Sequence, residues 1–495
     1  MGEKVLIIGA GIAGLCAALA LAPTGRKVTL LERDPPPPTD DPNDAFADWS
    51  RRGVGHLRHS HAFLARLRLI IRDEHPALLA NLLAAGCREL GLDGMLTDIH
   101  RRTYKPEPID SDFVILTSRR TTLELVIRRY VESLPGVVIQ SECFVSQVLT
   151  EAGSPISVKG VRLENGEEVL CDVLVDAGGR TSSVVEQLIA LGAPITETSE
   201  SAGILYFTRH YRLKPGMSEP PRGQAPATGD LGFLKFGVFP GDEGCFSITL
   251  CVPEIEIEMR KAIVRPETFD AICRQMPGMV PWIDPERSEP VSKVFGMGDL
   301  HSRWRTLLND GLPAALNVFP VGDSLVRTNP LYGRGCSFAA ASAYALRDAL
   351  RASPDPARRL VAYDASVIRD LQPYFKSMLD LDRSAIKRAR QALTPGHVPD
   401  LRSRILKSFM EDGVGVAIRS DPDLLRAAMR GFHMLEHPSD WLKRPKNIAK
   451  VLGYWARGKT ANAEAYPPKS GPDRDTLMRS VGISPDLDIA RLNPA

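Results

Sequence analysis

At 495 residues the chain is longer than one domain of about 150 residues, and 43% hydrophobic with 25% charged residues is the composition of a globular protein with a large core. The 62 Lys and Arg nearly balance the 60 Asp and Glu, which excludes the positive excess of a nucleic-acid binder. No run reaches the roughly 18 consecutive apolar residues of a membrane helix, no secretory signal precedes the first strand, and no C-x-x-C pair occurs among the eight cysteines, so a cytoplasmic monomer or homodimer with reduced thiols is expected.

The chain opens on Val5-Leu6-Ile7-Ile8, a continuous apolar run of the kind a strand buried on both faces requires. Gly9-Ala10-Gly11-Ile12-Ala13-Gly14 follows, then a helix-forming LCAALALA and a second strand, KVTLLER, which carries Glu32 and Arg33. Strand, glycine turn, helix, strand and acid form a dinucleotide fingerprint. In it Gly9 makes the tight turn, Gly11 lets a pyrophosphate approach the backbone, and Gly14 lets the helix pack on the strand. Glu32 suits the hydroxyls of an adenosine ribose and repels a 2'-phosphate, so FAD or NAD fits there and NADP does not.

Next, after a Pro-rich acidic loop, RRGVGHLRHSHAF concentrates His56, Arg58, His59 and His61. No further ligands with zinc spacing accompany these histidines, so no metal is expected, and Arg58 or a nearby histidine such as His61 is expected over the cofactor or its phosphates. SRRTTLELVIRRYVE reads as an amphipathic helix headed by Arg120, and CDVLVDAGGRTSS as a strand ending in a glycine turn at Asp176-Ala177-Gly178-Gly179-Arg180. Between residues 200 and 295 short alternating runs separated by Pro and Gly predict an antiparallel sheet, on which Phe207, Tyr211, Phe236 and Phe239 are either pocket aromatics or, as aromatics at alternate strand positions more often are, plain core. Farther on, ALNVFPVGDSLVRTNPLYGRGCSFAAASAYALRDAL predicts a strand ending at Gly322-Asp323, an irregular loop through Pro330, Gly333 and Gly335, and a helix beginning near Cys336. That helix N-terminus would stabilise negative charge developing on a reduced isoalloxazine ring. From about residue 376 the pattern is helical and basic, and it ends in a Pro-rich tail expected to be poorly ordered.

The pattern G-D-x(6)-P-x-x-G-x-G resembles the second FAD-binding motif of the aromatic hydroxylase and flavin monooxygenase superfamily. SRRTTLEL is similar to its R-x-x-L element, and GVGHLRHSH to the G-V-P-Q-x-R-H-x-H segment of the branch that includes polyether-type flavin epoxidases, with Gly55-His56 in place of Pro-Gln. The resemblance implies an α/β fold: a discontinuous Rossmann-like FAD-binding domain with a parallel sheet (1–80, 110–195, 295–375), an inserted mixed or antiparallel substrate sheet (81–109, 196–294), and a C-terminal helical region (376–495). Expected cofactor contacts are Gly9, Gly11, Gly14, Glu32, Arg33, Arg120, Val145, Gly322, Asp323, Pro330, Gly333, Gly335 and Cys336. Arg58, His61, Tyr332 and Arg334 are weaker candidates for a part in the chemistry. Relatives that take hydride directly from NADPH show Asp-Gly where this chain has Asp176-Ala177, which leaves the electron donor open between NAD(P)H and a separate flavin reductase. The implied reaction is monooxygenation, hydroxylation or epoxidation through a flavin C4a-hydroperoxide, of a small, electron-rich and largely apolar molecule by O2. The alternatives are a reductase of carbon-carbon double bonds, a flavin halogenase, and a flavin-bearing binding protein without turnover.

Overall fold

The structure, a computed structural model, describes residues 2–221, 225–394 and 396–485. Val5, Leu6 and Ile7 are at most 2% exposed, so strand β1 (Lys4–Ile8) is covered on both faces, as a central parallel strand must be. Helix α1 (Ile12–Leu21) and strand β2 (Lys27–Leu31) follow, then helix α2 (Arg120–Glu132), strand β3 (Val137–Gln140) and strand β4 (Val173–Asp176). The chain next enters an antiparallel sheet containing strands β5 (Ile204–Leu213), β6 (Lys235–Pro240) and β7 (Cys245–Pro253). It returns through strand β8 (Val318–Pro320) and helices α3 (Gly335–Ala352) and α4 (Pro356–Leu393).

Hydrogen bonds order the first sheet β8-β4-β1-β2-β3, with every pairing parallel. The chain order reverses between β1 and β4, and the carboxyl ends of strands beside such a switch point are where open α/β sheets bind ligands. Helices α1, α3 and α4 pack in one apolar cluster on one face. On the other, Leu6, Leu31, Leu174 and Val318 meet Val148, Val158 and Val161 of a small mixed sheet. This is the α/β architecture that the sequence implies.

In the inserted sheet β5 pairs with β7 and β7 with β6, all antiparallel. One face buries Phe207, Tyr211, Phe236 and Val238 against Phe269, Ile272, Met276 and Met279. The opposite face carries Tyr206, Thr208, His210, Ser247, Thr249 and Phe239, and it meets the parallel-sheet unit: Tyr206 donates to Asn329 at 2.6 Å, and Thr208 lies 2.9 Å from His59. Of the two readings of these aromatics, plain core and pocket lining, core is the one that Phe207, Tyr211 and Phe236 bear out. They form the core on the far side, and only Phe239 of the four stands on the side turned toward the flavin motifs.

Helix α4 runs for 38 residues, about 57 Å at 1.5 Å per residue, from the core at Leu360 and Tyr363 to Ile386, which lies against Gly203 at the start of β5. The boundary expected at residue 376 falls inside this helix. Beyond it, the segment expected to be poorly ordered instead forms a helix at Arg474–Ser480, with Leu477 and Met478 buried beneath the inserted sheet and Arg474 paired with Glu256 at 2.8 Å. Residues 486–495 of that tail lie outside the described residues. Among the described residues no helix is long and apolar enough to cross a membrane.

Asp242, fully buried, joins the two units. Its carboxylate accepts from Arg119 Nη2 at 2.6 Å, from the Arg119 backbone N–H at 2.7 Å and from Thr122 Oγ1 at 2.7 Å. Removing one partner of a buried ion pair leaves an uncompensated charge, so Asp242→Ala is expected to cost about 3–5 kcal/mol of unfolding free energy. Urea denaturation checks this, and a loss below 1 kcal/mol would contradict the role given to the pair.

Candidate functional site

The fingerprint turn is built from contacts that only glycine permits. Gly9 donates its N–H to Leu31 at 2.8 Å with φ at +94°, and a Cβ on it would stand 2.7 Å from the Ala177 carbonyl oxygen. A Cβ on Gly14 would collide with the carbonyl oxygen of Gly9, so Gly14 is what lets α1 start directly above the turn. Gly11 caps α1, and a Cβ there would meet nothing nearer than Arg51 Nη2 at 3.9 Å. Its lack of a side chain serves no internal packing, which suits a position that a pyrophosphate approaches at a helix N-terminus. Glu32 sits at the end of β2, 4% exposed, accepting from the N–H groups of Ala10 at 2.7 Å and Asp34 at 2.9 Å.

The second motif meets the first here. A Cβ on Gly322 (φ +57°) would stand 2.7 Å from the Cβ of Ala13 in α1, so the loop carrying Asp323 lies against the fingerprint helix. The loop is also tied to the turn after β4. Ser324 Oγ donates to Asp176 at 3.1 Å and accepts from Gly179 N–H at 2.9 Å. Burial raises the pKa of the Asp323 carboxyl, with Arg120, Arg327 and Arg303 opposing. Pro330 is exposed, Gly333 takes the left-handed conformation (φ +64°) and Gly335 begins α3. In the first turn of α3 burial pushes the Cys336 thiol up to about 11, against the pull of Arg120.

A buried chain of alternating charge connects these pieces. Arg120 donates to Glu124 at 2.7 Å and to His61 Nε2 at 3.2 Å; Glu124, fully buried, also accepts from Arg51 at 3.1 Å; Arg51 reaches Glu32 at 3.2 Å and lies over the Trp49 ring at 4.8 Å. Sequence reading missed Arg51 and Glu124. Glu124 stands four residues after Arg120 on one helix, a spacing that pairs side chains and was there to be read. Nothing local marks Arg51, whose partners are distant in the chain.

Other candidates fall elsewhere. Arg58 donates to the carbonyls of Phe46, Ala47 and Trp49 at 2.8, 3.0 and 3.3 Å, closing the end of the helix Pro42–Asp48, and is not brought to the flavin motifs. Arg33 lies against Gly53, and Val145 heads a strand of the small mixed sheet and packs in its cluster. Tyr332 donates to Asp382 of α4 at 2.7 Å, and Asp382 also accepts from Asn329 at 2.8 Å. Arg334, 6% exposed, stands between the rings of Tyr332 (5.8 Å) and Tyr374 (5.2 Å) with no acceptor for Nε or Nη1 among the described residues, and burial lowers its pKa.

The histidines have defined tautomers. His61 Nδ1 faces the His59 carbonyl at 2.8 Å and must carry the proton, so Nε2 accepts from Arg120. His210 Nε2 likewise donates to the Arg58 carbonyl at 3.1 Å. Burial and the Arg120 charge hold His61 well below its ordinary pKa, and burial with the same charge does so for His56.

Glu124→Ala would leave two guanidinium groups buried without their shared carboxylate, and is expected to cost about 3–5 kcal/mol in urea denaturation and to weaken FAD retention on gel filtration. A variant as stable and as yellow as wild type would remove Glu124 from the site. A pH effect follows from burial, which holds His59, His210 and His433 down to about 4 against an ordinary 6.5. The unfolded chain then binds more protons between these values, so stability is full above about pH 6.5 and falls toward pH 4 by about 1.4 kcal/mol per unit for each histidine. The urea midpoint is expected to drop from pH 7 to pH 5, less steeply in His433→Gln, and a flat profile would contradict the burial of neutral imidazoles.

Known proteins give this geometry its context. The chain is 27% identical to Protein Rv3254 of Mycobacterium tuberculosis over 381 residues, covering 71% of this chain and 73% of that protein. It is 24% identical to kynurenine 3-monooxygenase of Salinispora arenicola over 396 residues, covering 74% of this chain and 76% of that enzyme. The FAD-dependent monooxygenase PqsL of Pseudomonas aeruginosa superposes with a TM-score of 0.55 at 18% identity, covering 78% of this chain and 98% of PqsL. The profile of the family described as FAD dependent oxidoreductase matches residues 4–349, the span that holds both glycine motifs and Glu32. The chain therefore belongs to the FAD dependent oxidoreductase family, and FAD is the cofactor its site is built to hold.

Proposed function

We propose that the protein is an FAD-dependent monooxygenase that transfers one oxygen atom from O2 to a small, electron-rich organic molecule. The observation that carries this reading is the approach of Gly322 to Ala13, which makes one site of two flavin motifs some 300 residues apart. Bound flavin supplies the redox chemistry and the activation of O2. The chain's own part is to hold Glu32 toward the adenosine ribose, to set Arg120 beside the Asp323 loop, and to cover the site with the inserted sheet, which limits water.

The sheet face turned toward the site modifies the expected substrate. Its hydroxyls bond to one another and to Ser60, and that of Ser247 donates to no group among the described residues, so a substrate bearing a hydroxyl, amine or carbonyl group suits it better than a plain hydrocarbon. Hydroxylation of such a molecule is the form of the reaction we favour. Electrons come from NAD(P)H, directly or through a separate flavin reductase.

The test starts from the visible spectrum of the purified protein, followed by anaerobic addition of NADH, NADPH or dithionite and then of 18O-labelled O2 with candidate phenols and anilines. Bound, reducible flavin and one labelled oxygen in a product are the expected results. Saturation of an alkene without oxygen uptake would replace the proposal with a carbon-carbon reductase, and flavin that resists dithionite would leave a binding role.

A further inference from the structure

Beyond α4 the chain holds a helix, Leu401–Ser408, that buries none of its residues. Every residue from 396 to 407 is exposed. The apolar side chains are no exception: Val398 is 77% exposed, and Leu401, Ile405, Leu406 and Met410 are 48–65% exposed. On the helix Leu401 and Ile405 stand one turn apart in a row that leads to Phe409, and Leu406 and Met410 form the neighbouring row. Arg402 lies between the two rows, and Arg404 and Lys407 stand on the opposite face.

This helix is anchored rather than loose. It continues through a π-helical turn, Phe409–Gly415, into the helix Val416–Ser420, where Val416 and Ala417 are fully buried. Trp455 grips the junction: its ring meets Phe409 edge-on at 5.4 Å, and its Nε1 donates to Ser408 Oγ at 3.1 Å. Asp400 caps the other end, accepting from the Ser403 N–H at 2.6 Å. The charge around it has one sign. Lys387, Arg388 and Arg390 near the end of α4 are exposed, as are Arg402, Arg404 and Lys407, whereas Asp400 is the only acid between residues 387 and 407. Of these six cations only Lys407 is paired among the described residues, with Glu411 at 3.9 Å.

We propose that the helix Leu401–Ser408 docks on the surface of an anionic lipid bilayer, with Leu401, Ile405, Leu406 and Met410 among the acyl chains and Arg402, Arg404 and Lys407 at the headgroups. A helix with an apolar face, several cations and no acid has the composition that lies in such an interface. Arg402 suits it despite its place between the apolar rows, since its stem can stay among the chains while the guanidinium reaches back to the headgroups. A second copy of the chain fits less well. A two-fold contact sets one patch against itself, bringing Arg402, Arg404 and Lys407 against their own counterparts with no acid on the helix to pair them. An acidic protein would find only two helical turns, well short of the roughly 800 Å² per partner that a stable interface buries. A bilayer needs no matching shape and closes around whatever side chains enter it. Among the described residues no helix is long and apolar enough to cross a membrane, so the contact is peripheral. It does not rest on the oxygen-transfer reading, and it holds the protein where molecules that partition into lipid are concentrated.

Flotation of the FAD-loaded full-length protein with lipid vesicles tests the docking without substrate or turnover. The expected result is binding to vesicles of phosphatidylcholine mixed with phosphatidylglycerol, little binding to phosphatidylcholine alone, and weaker binding as salt is raised. Two double variants, Ile405→Ser with Leu406→Ser and Arg404→Glu with Lys407→Glu, are each expected to weaken binding by about tenfold or more. Flavin spectrum and melting temperature stay unchanged in both, because none of these side chains is buried; if the apolar pair does not fold, Leu401→Ser decides in its place. Wild-type protein that stays off the anionic vesicles, or variants that float as wild type does, would overturn the proposal. Loss in the charge pair alone would reduce the contact to general attraction between cations and lipid, and it too would overturn the docking of an apolar face. A wild-type dimer in sedimentation velocity that the apolar pair makes monomeric, with no vesicle binding, would instead assign the helix to a second copy.

Discussion

The constraint on which the site depends is a carboxylate with two guanidinium groups and almost no water. Glu124 is fully buried between Arg120 and Arg51, and Arg51 passes the interaction on to Glu32. Buried charges are tolerated only when paired and hydrogen-bonded, so the positions of these four side chains are mutually determined. Arg120 is thereby held at the flavin loop and Glu32 at the fingerprint turn, although they lie on different elements. The arrangement transmits one geometry from the end of the site expected to hold adenosine to the end expected to hold the ring.

What was legible in the sequence was whatever has a local cause. Gly9 and Gly14 were readable because a tight turn and a close helix start need residues without side chains at fixed offsets, and the structure shows those approaches at the Ala177 and Gly9 carbonyls. The parallel order of the first sheet followed from apolar runs buried on both faces. Arg51 was not legible, because its partners at positions 32, 34 and 124 are assembled only by the fold. Arg58, a few residues on, drew attention as part of a dense cationic motif, yet its guanidinium closes a short helix.

The inserted sheet shows a different limit. Alternation along β5 separates Phe207 and Tyr211 from Tyr206, Thr208 and His210, and that separation is real. It does not say which face meets the flavin unit, because both faces are largely buried, one by helices and one by the seam. Core and pocket wall were therefore both open for the aromatics, and the fold decides for core at Phe207, Tyr211 and Phe236. The hydroxyl face instead reaches the His56–His61 segment, so that segment acts less as a ligand set than as the near wall of a polar seam.

That seam bears on how the inserted sheet is held against the flavin-binding unit. A row of hydroxyls crosses it, with Ser60 half-buried and Thr208, Thr249 and Ser247 buried. Its hydrogen bonds tie strands β5 and β7 to the loop at His59 and Ser60, and the Arg119–Asp242 pair clamps the same two units a short way off. Rigidity at the seam is a condition for such a row, because a hydroxyl that drifted out of reach would break it, and the buried ion pair supplies that rigidity where the hydroxyls alone could not.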